Sequence, residues 1–472
     1  MTAPKFCKTK IVATIGPSSW DKRVLKDMIE SGMDIARVNA SFADFDELKR
    51  VKDSIHSISP RITMVLDTMG NKIRTTGFKE SKNIKKGDKI VLIPYSEEIE
   101  NDNEIQITYD TLHKDLIRNS IILIDDGNFE LLVTNIDGKK IICEAQNTYT
   151  LKYGKSLNIP NHRLNFPELT KKDIQDIGYA VNLKYDFVAL SFVQDEKVLL
   201  KTRELLDGSG INIISKIENR SGLDNFDKIL QYSDAIMIGR GDLGVEIPLE
   251  ELPIVQKELV YRCRSAGKPV IVATQMLESM RNSIRPTRAE VSDVANSIID
   301  GTDALMLSGE TSTGSYPVES VEMMNRIALS TEDVLTPQPV YGNTQASKET
   351  DELSRAVFDL VKNVDLKAVV ILSKSGISVN SLSRHRLPIP IFEISNSLER
   401  IREDNLARGV KCYYRNTLSN DRDISVKEGV ETVFSYGELD FSDKIAIISG
   451  SSIKNKDFNT ILEIATVKDI IK

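Results

Sequence analysis

The chain is short of the residues that staple or anchor a fold. Among its 472 residues are four cysteines, Cys7, Cys143, Cys263 and Cys412, scattered without a C-x-x-C pair. That spacing offers neither a disulfide framework nor a zinc site and fits a reducing cytosol. The four histidines, His56, His113, His162 and His385, lie far apart, so each reads as a surface or packing residue. No apolar run is long enough to span a membrane, and the N-terminus shows no signal-like segment. A cytoplasmic protein is the expectation, with no membrane partner. The net charge of -7 argues against general nucleic-acid binding. An anionic substrate must therefore be held by locally placed cations.

What is present is a long alternation of strands and helices, long enough for two to four domains. Its centre is Ile211 to Gly244, where two β-rich runs, Ile211–Ile217 and Ala235–Ile238, flank a helical pattern at 223–230. Lys216 and Glu218 end the first run; Arg240 and Asp242 follow the second. Continuous apolar runs followed by helices are typical of parallel strands buried on both faces. Charges leaving such strands lie where a (β/α)₈ barrel builds its active site. Two carboxylates beside a lysine suit a divalent cation with a phosphate next to it. For one strand alone, a surface ion-pair network explains the charges as well. For both together, with Gly239 and Gly241 allowing close backbone approach, a site is the better reading.

Three strands come first: Lys10–Ile15, Ile35–Val38 and Thr63–Leu66. Asp44 is placed to cap the second helix with Glu47 as capping-box partner, and Leu48, Val51, Ile55 and Ile58 form its apolar stripe. From Asn71 to about Leu164 the pattern becomes short β runs and turns, among them Lys89–Ile93, Ile121–Ile124 and Lys140–Ala145. This predicts a small β domain inserted as a lid. Five strands follow, at 187–191, 211–217, 235–238, 270–273 and 304–307. Thr287 to Glu290 is a capping box and Gly301 a helix stop. Three strands and five make eight, the barrel number. A polar linker at 336–347 leads to a further α/β open-sheet section. The predicted division is a barrel from 1–70 and 165–338, a β lid from 71–164, and a C-terminal domain from 339–472.

The stretches KTKIVATIGP at 8–17, SKIEN at 215–219, GRGDLG at 239–244, ATQMLESM at 273–280 and PTRAEVSDVANSIIDGTDALMLSGETSTGSYP at 286–317 resemble the pyruvate kinase family, and the resemblance covers nearly the whole chain. It implies a TIM barrel with an inserted small β-barrel lid and a C-terminal effector-type domain. The implied reaction is phosphoryl transfer from phosphoenolpyruvate to ADP, giving pyruvate and ATP. Glu218 and Asp242 match the ligands of Mg²⁺ or Mn²⁺. Lys216 matches the lysine that neutralises charge on the phosphoryl group and the enolate. The amides after Arg240 and Gly241 match the holder of the substrate carboxylate. Thr274 matches the threonine beside the enolate methylene, and Ser308 and Glu310 a polar pair near it. Arg37 and Arg74 match phosphate-binding arginines, and Asn39 and Lys155 match nucleotide contacts, Lys155 from the lid. A homotetramer is the assembly the family implies.

Some positions depart from the family. Phe42 replaces a histidine that touches nucleotide, which puts nucleotide preference in question. Met69 and Lys72 replace a lysine and a glutamate. Asn39, Ser41, Asp67 and Thr68 match a cage for K⁺, and a tethered Lys72 ammonium donating to the same oxygens would make K⁺ unnecessary. In the last domain Ser373, Lys374, Ser375, Gly376 and Ser378 match a loop that holds the phosphate of an effector; the alternative is an ordinary Ser/Gly turn. Ser449–Lys456 has no tryptophan or arginine for a second phosphate, so a sugar or nucleoside monophosphate is expected. Two readings of other classes stand beside this one. A phosphoenolpyruvate mutase or aldolase would share the metal carboxylates without needing Lys155. A non-catalytic sugar-phosphate sensor would be expected to have lost Lys216, Glu218 or Asp242, and all three are present.

Overall fold

A computed structural model describes residues 6–336, 339–342, 344, 346–373, 376–450 and 459–471. Its centre is a closed barrel of eight parallel strands: Lys10–Ile15, Ile35–Asn39, Thr63–Asp67, Phe187–Leu190, Asn212–Ile217, Ala235–Gly239, Val270–Ala273 and Ala304–Leu307. The last strand pairs with the first, Lys10 opposite Ala304. Each strand is fully or almost fully buried because helices cover its outer side while the barrel interior covers the other.

Alternation along the strands decides what faces inward. Val12, Ile35, Val65, Phe187, Ala189, Ile214, Ala235, Met237, Ile271, Ala273, Ala304 and Met306 form one interior cluster. Their neighbours in sequence, such as Ile11, Ile213, Ile236 and Leu305, pack outward against the helices in a second and larger cluster. The next inward positions toward the strand exits are Thr14, Arg37, Asp67 and Lys216, so the same period that builds the core delivers polar groups to one rim.

The helices start and stop largely where local chemistry dictates. The helix Arg288–Asp300 has a complete capping box between Thr287 and Glu290, and Gly301 ends it at φ 93°. The helix Phe45–Ile58 is capped by Asp44, which accepts from the Glu47 amide at 2.9 Å. The expected capping box is not completed there, because the Glu47 side chain bonds the Trp20 side chain instead. The expected helix at 223–230 is interrupted at Asn225, giving Arg220–Asp224 and Phe226–Tyr232.

The insertion is a second closed barrel of seven strands, Ile73–Thr76, Lys89–Pro94, Glu104–Ile107, Ile121–Ile124, Phe129–Asp137, Lys140–Ala145 and Ser156–Asn158, with its own apolar core. The C-terminal section is a five-stranded sheet ordered Val410–Tyr414, Ile391–Ser395, Ala368–Leu372, Lys444–Gly450, Asn459–Thr466. Four of its strands run parallel and the last is antiparallel. It is tied to the closed end of the large barrel by buried ion pairs. Arg386 grips Asp303 with both terminal nitrogens at 2.9 and 2.7 Å, and Arg402 holds Asp186 at 2.6 Å. Among the described residues no helix is long and apolar enough to cross a membrane.

Candidate active site

A cleft of about 590 Å³ opens at the strand exits of the large barrel. Its floor is an ion cluster. Asp67 is fully buried and receives Arg37 Nε at 2.6 Å on one oxygen and Lys216 Nζ at 3.0 Å on the other. Lys216 also stands 3.1 Å from Glu218 and donates to Ser191 Oγ at 2.7 Å. Arg37 donates onward to Thr14 Oγ1 at 2.9 Å. Burial alone pushes the Asp67 carboxyl up, but Arg37 and Lys216 outweigh it and hold the group below the usual carboxylate range. Burial likewise pulls Lys216 down, and the carboxylates of Asp67 and Glu218 more than restore it, so the ammonium stays charged. Glu218 is pushed up, chiefly by burial and then by Asp242 and Asp67, against the pull of Lys216.

Glu218 leaves its strand and fits only because position 239 lacks a side chain. A Cβ on Gly239 would meet Glu218 Cγ and Oε1 at 2.6 Å. Phe192, held at φ 55°, donates its amide to the second Glu218 oxygen at 3.0 Å. Asp242 faces Glu218 across the cleft from the first turn of Arg240–Glu246. Two hard carboxylates and an open cleft fit a divalent cation that takes its other ligands from substrate and water. Among the described residues no group of three or more His, Cys, Asp or Glu is placed to hold a metal by itself.

Of the expected site residues, Arg37, Asn39, Ser41, Asp67, Thr68, Lys72, Arg74, Lys216, Glu218, Asp242, Thr274 and Ser308 all line this one cleft. Thr274 sits at φ 69°, a costly conformation for a β-branched residue. Its hydroxyl donates to Ala273 O at 2.6 Å and accepts from the Gly241 amide at 2.7 Å. Among the described residues, none is a hydrogen-bond partner of the buried Ser308 hydroxyl. Arg74, on the lid strand Ile73–Thr76, lines the cleft and is held within the lid by Gly154 O at 2.9 Å.

Other placements correct the expectation. The Gly241 amide is occupied by Thr274 Oγ1 rather than open to a substrate carboxylate. The Arg240 guanidinium turns away into the barrel wall, where it meets Asp293 at 2.8 Å and the Thr274 and Gln275 carbonyls. Glu310 lies behind the cleft, accepting from the Leu277 and Ser308 amides at 3.1 and 2.8 Å, and burial raises its pKa. Lys155 pairs with Asp125 inside the lid at 2.8 Å and does not line the cleft. Lys72 does not donate to the four cage residues. Its ammonium bonds Asp242 Oδ1 at 2.6 Å and lies 5.4 Å above the Phe192 ring. The reason is competition: both Asp67 oxygens are already taken by Arg37 and Lys216, and Asn39 Oδ1 accepts from the Ser41 amide at 3.1 Å. Phe42 stands at the mouth, 83% exposed.

Sequence reasoning missed Thr14, Ser191 and Phe192. All three occupy or follow strand exits, the rule that identified Lys216, but they carry no charge and drew no notice. In the last domain Gly376 adopts φ 72° and donates its amide to Ser373 Oγ at 2.9 Å, with Ser378 buried. Lys374 and Ser375 lie outside the described residues, as do positions 451–456.

Two family models match the chain, one described as the barrel domain of pyruvate kinase over residues 6–321, the other as its alpha/beta domain over 351–464. A pyruvate kinase from Bacillus licheniformis is 39% identical over 476 residues, covering 98% of this chain and 81% of the relative. Those from Sporosarcina psychrophila and Geobacillus stearothermophilus are 38% and 37% identical over the same shares.

Asp67 yields a stability test. Its depressed carboxyl contributes stability that is fully present above its unfolded pKa of about 3.9 and is lost as pH falls through the lower folded value. Asp67→Asn leaves two buried cations facing each other and is expected to cost about 3–5 kcal/mol at neutral pH. Urea midpoints across the pH range should show a gap between wild type and variant that is constant near neutrality and narrows in acid. A gap unchanged into strong acid would contradict the role given to Asp67.

Proposed function

The chain belongs to the pyruvate kinase family, and from that premise we propose that the cleft moves the phosphoryl group of phosphoenolpyruvate to ADP over a divalent cation held by Glu218 and Asp242. The observation that carries this is the Lys216 ammonium, buried, charged, and bound at 3.0 and 3.1 Å to Asp67 and Glu218 in a cleft that also holds Asp242. A charge fixed in this way needs no reorganisation when negative charge develops on the phosphoryl oxygens and the enolate. Bound Mg²⁺ or Mn²⁺ would supply Lewis-acid polarisation of the same oxygens.

The protein groups divide the remaining work. Arg37, anchored by Asp67 and Thr14, presents the rest of its guanidinium toward a phosphate. Thr274, pinned between Ala273 O and the Gly241 amide, keeps its hydroxyl at the rim where the enolate carbon would sit. The buried Ser308 hydroxyl is a second polar group there. Phe42 offers an aromatic face at the mouth, in place of the histidine of the family pattern. Arg74 is itself a lid residue that lines the cleft, so a lid side chain takes part in phosphate binding.

We also infer that no added K⁺ is needed. The support is the place of Lys72: its ammonium stands in the cleft at Asp242, contributing the unit of positive charge that a monovalent ion would otherwise bring. For the C-terminal domain we infer a monophosphate effector at the loop 373–378, supported by the left-handed Gly376 that turns the chain into the following helix.

Each reading has its measurement. In a coupled assay of pyruvate formation with ADP and Mg²⁺, Lys216→Met is expected to lower turnover by several orders of magnitude while Mn²⁺ binding persists; near-normal turnover would remove Lys216 from the chemistry. In buffer with a large organic counter-ion the wild type should be active and Lys72→Glu should become activated by KCl. Strong KCl activation of the wild type would refute potassium independence. A panel of sugar and nucleoside monophosphates should shift the half-saturation for phosphoenolpyruvate, and no shift from any of them would exclude the effector loop.

A further inference from the structure

The ammonium of Lys72 stands on one of the two carboxylates that face each other across the cleft. Its Nζ lies 2.6 Å from Asp242 Oδ1 and 5.4 Å above the Phe192 ring. Glu218 is engaged in a similar way, by Lys216 at 3.1 Å and by the Phe192 amide at 3.0 Å. The two ammonium groups differ in how they are held. Lys216 is buried on the barrel floor, with Asp67 and Ser191 as further partners. Lys72 is partly exposed and sits where the barrel passes into the lid. Just before it, the Gly70 amide is held by Asp173 at 3.0 Å and the Asn71 side chain by Pro167 O at 2.8 Å. Just after it, the lid strand Ile73–Thr76 begins. The strand by which the chain leaves the lid, Ser156–Asn158, meets the same short helix that carries Asp242, because Asn158 donates to Glu246 at 2.9 Å. Both crossings between barrel and lid therefore bond the helix Arg240–Glu246, and the first of them does so at Asp242.

We infer that Lys72 guards the cation site: in the empty cleft its ammonium competes with the divalent cation for Asp242, and it yields when the phosphorylated substrate arrives. The inference rests on the reading of Glu218 and Asp242 as ligands of that cation. A divalent cation on Asp242 would share one carboxylate with the ammonium, and like charges on one carboxylate repel each other. Phosphoenolpyruvate brings a phosphate dianion and a carboxylate. It offers the ammonium other oxygens and places negative charge beside the cation. Cation and substrate then strengthen each other's binding, by the same factor in both directions. Lys72 suits this exchange better than Lys216 does. Its charge rides on a flexible four-carbon stem at a partly exposed position, so it can move from Asp242 to substrate without displacing the lid backbone. Lys216, fixed on the floor by Asp67 and Ser191, stays where it is.

The test is Mn²⁺ binding to the full-length protein, followed by electron paramagnetic resonance in tetramethylammonium buffer, with and without phosphoenolpyruvate. Wild type is compared with Lys72→Met, Lys72→Gln, Arg74→Gln and Glu218→Gln. Without substrate, the two Lys72 variants should each bind Mn²⁺ about 10-fold more tightly than wild type, the size of a hydrogen bond to a charged group. Phosphoenolpyruvate should then tighten Mn²⁺ binding less in these variants than in wild type. Arg74→Gln removes a cleft cation that is bonded to Gly154 O, and its gain should be clearly smaller. Mn²⁺ binding in both Lys72 variants that equals wild type without substrate would overturn the inference. Weaker binding would also overturn it and would mean that Lys72 orients Asp242 for the cation. An equal gain in Arg74→Gln would overturn the contact with Asp242 as the cause. Glu218→Gln separates this failure from that of the underlying reading: it should bind Mn²⁺ poorly in either condition, and if it binds as wild type does, the cation site lies elsewhere and both fall.

Discussion

The site depends on one carboxylate. Asp67 sits at the end of its strand with no exposure to solvent and divides its two oxygens between Arg37 and Lys216. Three buried charges of mixed sign stabilise one another where any one alone would be expelled or neutralised. Each partner then carries a further contact outward, Arg37 to Thr14 and Lys216 to Ser191 and Glu218. Five of the eight strands, or the turns that follow them, are joined at one level by this chain of contacts. The cleft is preorganised because each charged group of its floor is held by another, and its reactive cation keeps its charge only because two carboxylates oppose the cost of burial.

Much of this was legible because a strand has period two. Ile214 and Lys216 are successive inward positions on one strand, with Glu218 just past its end, and Ala235, Met237 and Gly239 are successive inward positions on its neighbour. Once a buried parallel strand is recognised, a lysine two residues beyond an inward isoleucine can point nowhere but into the barrel mouth. Gly239 was read as permitting close approach, and what approaches is the Glu218 side chain. The strands, the seven-stranded insertion and the open C-terminal sheet were readable for the same reason, since apolar periodicity and turn residues are local. The unfinished capping box at Asp44 shows where locality ends: Trp20, twenty-seven residues before Glu47, is the competing partner.

What was not legible is where long side chains go when several acceptors are in reach. Lys155 and Lys72 were each assigned an anionic or oxygen-rich target, and each found a carboxylate, Asp125 and Asp242. A flexible stem lets a cation choose the nearest uncommitted oxygen, and which oxygens are uncommitted is a tertiary fact. Asp67 was one of the four cage residues that the family resemblance offered to Lys72, yet both of its oxygens were taken. Neutral groups were lost for the opposite reason. Thr14 and Ser191 carry no charge to draw notice, and their importance comes only from what they touch.

The same barrel carries constraint from one end to the other. Lys8 and Thr9 lead directly into the strand whose exit bears Thr14 and Gly16, and Asp303 immediately precedes the strand whose exit bears Ser308. Each of these strands is four to six residues long, about 13–20 Å at 3.3 Å per residue. Both ends of each are pinned, by Glu332 and Arg386 at the seam and by the ion cluster and the Glu310 contacts at the cleft. Strands hydrogen-bonded on both sides cannot absorb a displacement at one end by local rearrangement, as a loop would. The polar groups at the cleft ends of those two adjacent strands are Thr14, which orients Arg37, and Ser308. Parallel strands anchored at both ends thus join the seam with the C-terminal domain to the cleft with no flexible segment between them.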